Sequence, residues 1–98
     1  MIVGKMHELM GEKVLAACDK DLLEKEFSQG DLSVKLGKNF YGEDVISKEE
    51  LIALLKECTT ANLFGEETIA VARELYEITN VITIAGIPHA QIFKIKDV

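Results

Sequence analysis

The sequence predicts an α/β fold of mixed α+β character, with a single mixed sheet of about six strands, two main helices packed on it and a βαβ unit in the C-terminal half. Three observations carry that expectation. Short apolar runs with the two-residue period of strands recur at both ends of the chain, one helix declares its start with a capping box, and the stretch from Ala61 to Ala85 reads strand, helix, strand.

Taken in order, Ile2 to His7 reads as a strand, and Val14-Leu15-Ala16-Ala17-Cys18 as a second. The intervening Met10-Gly11-Glu12 is a tight, glycine-containing connection, so the two form an antiparallel hairpin. Asp19-Lys20-Asp21 ends the second run. Leu22 to Phe27 then has the spacing of a short amphipathic turn or helix, stopped by Gln29-Gly30. Leu32-Ser33-Val34-Lys35-Leu36 alternates apolar with polar, as a half-buried strand does. Gly37 and Gly42 bracket a loop carrying Phe40 and Tyr41.

Ser47-Lys48-Glu49-Glu50 is a capping box: the serine hydroxyl satisfies the amide of Glu50 while the Glu50 carboxylate reaches back, and Ile46 with Leu51 forms the flanking staple. Leu51, Leu54, Leu55 and Cys58 follow on one helical face, which places Cys58 toward the core. Ala61 to Phe64 is a strand that Gly65 breaks. Helical spacing returns from Glu66 to about Glu77, with Ile69, Ala72 and Tyr76 in one stripe and Val71, Leu75 and Ile78 in another, and Asn80 is a stop signal. Val81 to Ala85 is almost continuously apolar, as a central strand covered on both faces would be. Gly86-Ile87-Pro88 interrupts it, and Gln91 to Lys96 alternates Phe93 and Ile95 against Lys94 and Lys96, which fits a last strand nearer an edge.

No linker, repeat or low-complexity tract divides the 98 residues, so residues 1–98 are expected to form one domain. Apolar residues make up 48% and charged residues 29%, a globular balance. Seventeen acidic residues face eleven basic ones, for a net charge of −6, and Arg73 is the one arginine. Duplex DNA binding rests on Lys and Arg neutralising phosphates, so it is disfavoured. RNA bound by stacking on exposed aromatics such as Tyr41 stays open, because stacking needs no arginine. Cys18 and Cys58 are too far apart for a C-x-x-C motif and are read as reduced thiols. No apolar run reaches signal-peptide or membrane-span length, so the expected location is cytoplasmic, away from membranes.

If the two strands between Ala61 and Ala85 are parallel, their ends share one rim, where open α/β sheets usually hold ligands. That rim gathers Asn62, Gly65, Glu66, Gly86, Pro88 and His89. Two readings of His89 stand side by side: a base or ligand-binding group at that rim, or a structural residue hydrogen-bonded to the turn. The amides of the helix beginning at Glu66 are a poor phosphate site, because Glu66 and Glu67 already place negative charge there. Neither G-x-x-x-x-G-K-[ST] nor G-x-G-x-x-G occurs. Cys18 beside Asp19 suits an inert core thiol better than an activated one. His7 and His89 have no spacing that argues for a metal, and no cofactor is implied. Phe40-Tyr41-Gly42 is either a contact surface or a loop folded back on the core.

Leu15 to Asp19, Phe40-Tyr41-Gly42, Ala61 to Glu66 and above all Ile84-Ala85-Gly86-Ile87-Pro88-His89-Ala90-Gln91 together resemble the archaeal family called domain of unknown function 424. The resembling segments span nearly the whole chain. Leu22-Leu23-Glu24 departs from it, with Glu24 where that family would carry glycine. The resemblance implies an archaeal, cytoplasmic protein and assigns no catalytic residue. Two function classes follow: a non-catalytic interaction module with a protein partner, associated with information processing by analogy, or a small-ligand-binding protein or enzyme using the rim at Asn62–Glu66 and Gly86–His89.

Overall fold

The computed structural model describes residues 1–94. The expected class is observed: a mixed six-stranded sheet with helices packed against it. Strand β1 (Ile2–Leu9) and strand β2 (Glu12–Asp19) form the predicted antiparallel hairpin, Leu9 opposite Glu12. Its turn places Met10 at φ 52° and Gly11 at φ 81°, the left-handed pair that suits the twist of a two-residue hairpin.

The next segment differs from expectation. Leu22 to Phe27 is not a helix: a 3-10 turn at Lys20–Leu22 comes earlier, and β3 (Glu26–Gln29) pairs with β4 (Leu32–Lys35) as a separate two-stranded sheet. The apolar residues Leu22, Leu23 and Phe27 still reach the core, so their helix-like spacing served packing rather than helix formation. Glu24, the departure from the family pattern, adopts φ 65°, a conformation that glycine takes without strain. Its carboxylate accepts a hydrogen bond from the Lys38 amide at 3.1 Å, which offsets part of that strain and holds its pKa below the usual carboxylate value. Lys38 opens α1 (Lys38–Tyr41), a single helical turn where a loop was expected.

After the short β5 (Val45–Ile46) comes α2 (Lys48–Glu57), which begins as its sequence requires. Ser47 Oγ accepts from the Glu50 amide at 3.0 Å and the Glu50 carboxylate accepts from the Ser47 amide at 3.1 Å. Leu51, Leu55 and Cys58 are buried. Strand β6 (Thr60–Phe64) and α3 (Glu66–Arg73) follow, α3 ending four residues before the expected Glu77. Turn hydrogen bonds carry the chain on through Tyr76, so Leu75 and Tyr76 keep their place against the core without a helix.

The C-terminal strands correct a second expectation. Strand β7 (Ile82–Ile84) is not central but lies at the sheet edge, with Ile82 55% exposed. Strand β8 (Ile87–Phe93) turns back through Ala85 and Gly86, at φ 51° and 81°, and inserts between β6 and β7 in the order β5-β1-β2-β6-β8-β7. Both neighbours are antiparallel to β8, so β6 and β7 are parallel as expected, but one strand apart. Strand β2 is also parallel to β6, which brings the ends of β2, β6 and β7 to one rim.

Each face of this sheet has its own cover. On one side α2 and α3 pack over Ile2, Leu15, Ala17, Ala61, Leu63 and Ala90. On the other, the 3-10 turn, the β3–β4 hairpin and α1 pack over Val3, Ala16, Cys18, Phe64 and Ile84. The expected alternation of Phe93 against Lys94 is observed. Phe93 points outward at 70% exposure, while Lys94 turns in and donates to the Leu55 and Lys56 carbonyls at the end of α2, where a cation complements the helix dipole. Ile95 and Lys96 lie outside the described residues.

Candidate functional site

The residues gathered by sequence at one rim fall into two groups. Gly65, Glu66, Gly86 and Pro88, joined by Asp19, Asp21, Leu22 and Ile87, line a groove of about 290 Å³ where the parallel strands end. Asn62 and His89 lie instead on strands of the hairpin side of the sheet and do not line that groove, nor does Tyr41, the aromatic candidate for a contact, which packs on the same side.

Asp19 is the residue that sequence reasoning missed at the rim. Gly65 occupies the N-cap position of α3 and has no side chain to cap with, so the carboxylate of Asp19, from the adjacent strand, does so. Its oxygens accept from the Thr68 amide at 2.8 Å, the Glu67 amide at 3.2 Å and the Thr68 hydroxyl at 2.8 Å. At φ 105° Gly65 is in glycine territory, and a Cβ there would fall on the Asp19 carboxylate. The helix amides that might have held an anion therefore already hold one, in line with the unfavourable phosphate reading. The only signal in the sequence was an acid ending one strand and a glycine ending another, 46 positions later.

His89 is bonded to its own sheet. Its Nδ1 lies 3.0 Å from the Leu63 carbonyl, which assigns the proton to Nδ1, and its ring stacks on Phe64 with centroids 4.0 Å apart and planes 18° from parallel. Both contacts are those of the structural reading. Phe64 meets Tyr41 edge to face at 6.2 Å, Tyr41 meets Phe40 at 5.1 Å, and Phe40 stacks on His7 at 5.0 Å, so rings run in contact from β8 across to β1. His7 Nε2 donates to the Phe40 carbonyl at 2.7 Å.

Tyr41, expected as an exposed aromatic, is buried at 5% exposure, and burial raises its phenol pKa. Phe40, at 39%, is the ring that reaches solvent. At residues 40–42 one ring therefore folds back on the core and its neighbour faces out. Cys18 is fully buried, and burial followed by the nearby Asp19 charge pushes its pKa up to about 12, so it stays a thiol near neutral pH. Among the described residues no group of three His, Cys, Asp or Glu is placed to hold a metal ion. No helix there is long and apolar enough to cross a membrane.

Below this chain of rings no other described element covers the hairpin side of the sheet. By strand alternation its surface comprises Lys5, His7 and Leu9 of β1, Glu12 and Val14 of β2, Thr60 and Asn62 of β6, and Gln91 and Phe93 of β8. Leu9 is 69% exposed. Gln91 donates to Asn62 Oδ1 at 2.8 Å, pairing two amides in the middle of this surface.

A family model described as "Protein of unknown function (DUF424)" matches residues 7–95, which is most of the chain. The chain belongs to that family. It is also similar to a solved structure, "Crystal structure of an uncharacterized conserved protein from Methanopyrus kandleri", with 21% sequence identity and a TM-score of 0.77. That match covers 99% of this chain and 96% of the other, and at this identity it shows a shared fold. Comparison with curated proteins gives no match. The Gly86-Ile87-Pro88-His89 stretch that carried most of the resemblance to DUF424 contains the β7–β8 turn and the histidine stacked on Phe64.

Proposed function

We propose that this DUF424 chain is a non-catalytic interaction module of the cytoplasm that receives a protein partner on the uncovered half of its sheet. The observation that carries the reading is the composition of that half. It presents Leu9, Phe40 and Phe93 to solvent, and among the described residues Lys5 and Glu12 are its charged side chains. Large apolar side chains exposed on an open sheet face, among neutral polar residues, suit a protein interface. Among the described residues Lys5 is the one lysine there and supplies little for phosphates, which favours a protein over a nucleic acid. The competing reading, a ligand site at the rim, is weakened because Asp19 caps α3 and His89 bonds to Leu63. A partner that the parent chain retains from a lysate of its native host, identified by mass spectrometry, is expected to be lost with Leu9→Glu/Phe93→Glu and kept with the helix-side variant Glu49→Lys. Equal retention by the open-face variant, or no retained protein at all, overturns the proposal.

A further inference from the structure

Along β8 the backbone groups alternate between its two neighbours. The Pro88 carbonyl accepts from the Gly65 amide at 2.9 Å and the Lys94 amide donates to the Thr59 carbonyl at 3.0 Å, so even-numbered residues face β6. Odd-numbered residues face the other way. Ile87 and His89 meet Ile84 and Ile82 of β7, which begins at Ile82. Gln91 and Phe93 therefore aim their N–H and C=O groups at a place where β7 has not yet started, and among the described residues no backbone hydrogen bond reaches them. The segment 76–80 does not close over them. It stands off across a groove of about 430 Å³, with Tyr76, Glu77 and Ile78 on one wall and Gln91, Phe93 and Lys94 on the other.

We infer that this outer edge of β8 is a receptor site for an extended segment of a partner protein, added as an antiparallel strand against Gln91 and Phe93. The inference rests on the interaction reading above and specifies how the partner engages. Main-chain pairing supplies the affinity of such additions, and side chains at alternate positions supply the selectivity. Residues directly opposite Gln91 and Phe93 share the uncovered face with them. The guest strand thus places a β-branched or aromatic residue against Phe93, whose ring is otherwise in solvent, and an amide or hydroxyl residue two positions away against Gln91. The groove carries Glu77 on one wall and Lys94 on the other, but the Lys94 ammonium is taken up by the Leu55 and Lys56 carbonyls, so Glu77 and the net charge of −6 favour a guest flanked by Lys or Arg. Antiparallel addition matches the way β8 already pairs with both neighbours.

Amide hydrogen exchange of the full chain, followed by NMR, tests the edge first. In the free chain the Gln91 and Phe93 amides are expected to exchange about tenfold or more faster than those of Ala90 and Ile92, which pair with β6. Equal protection of all four means that residues 77–81 already close the edge, and overturns the inference. The binding probe is a synthetic peptide selected from a displayed library of random dodecapeptides. It is expected to slow exchange at Gln91 and Phe93 and to lose affinity at least about tenfold with Gln91→Pro, which removes an N–H that the β6 ladder does not use. Phe93→Asp provides the same test by edge charge if the proline variant fails to fold. A peptide whose shifts map to Leu9, His7 and Phe40 without touching Gln91 and Phe93 refutes the edge and leaves the open face standing. Failure to select any binding peptide, or undiminished binding to both variants, overturns the strand-addition site.

Discussion

The two faces of the sheet bury side chains of the same kind and differ in what lies over them. On the helix side, the ten residues of α2 and eight of α3 span the strands, so Leu15, Ala17 and Leu63 are fully buried and Met6, Ile46, Ile92 and others pack around them. On the hairpin side the cover is a four-residue helix, a 3-10 turn and a hairpin of four-residue strands. It reaches Val3, Cys18 and Phe64 and stops, and beyond it the same strands expose Leu9 and Phe93. The buried side chains belong to the covered regions, and the uncovered strip carries exposed apolar residues among polar ones.

The contrast is open to direct attack by substitution. Leu63→Ala, on the helix side, removes a fully buried side chain among well-packed neighbours and is expected to lower stability by about 2 to 5 kcal/mol in urea unfolding. A smaller loss would mean that this core is loose. Asp19→Ala, at the rim that both faces share, leaves two α3 amides and the Thr68 hydroxyl without their acceptor, and a loss of about 1 to 3 kcal/mol is expected. An unchanged midpoint would show that α3 does not depend on that carboxylate. Ser47→Ala disturbs only the start of α2 and is expected to cost about 1 kcal/mol. Phe93→Ser, on the uncovered strip, is expected to stay within about 0.5 kcal/mol of the parent. A larger loss there would place Phe93 in the core and dissolve the distinction between the faces.

What could be read from the sequence was what is local. The capping box of α2 spans four residues, and its partners could be named because their geometry follows from helix spacing alone. The β1–β2 hairpin was legible for the same reason, through a two-residue turn. The insertion of β8 between β6 and β7 was not, because a parallel strand pair and a split one share the same hydrophobic pattern, and Val81 to Ala85 reads as central either way. The inward turn of Lys94 was hidden too, since its ammonium is satisfied by carbonyls at the end of a helix 38 and 39 positions earlier. At the candidate site the sequence brought Gly65, Glu66, Gly86 and Pro88 together correctly. It could not show that Asp19, 49 positions before Thr68, already fills the helix end there, nor that Phe40 rather than Tyr41 faces solvent.

The central claim is that the uncovered half of the hairpin side receives a protein partner. Hydroxyl-radical footprinting of the chain, alone and with the partner it retains, tests this most directly by reading which side chains lose reactivity. Protection is expected at Leu9, Phe40 and Phe93, with Ile52 and Leu54 of α2 unchanged. Protection confined to α2 and α3, with Leu9, Phe40 and Phe93 as reactive as in the free chain, would contradict the account.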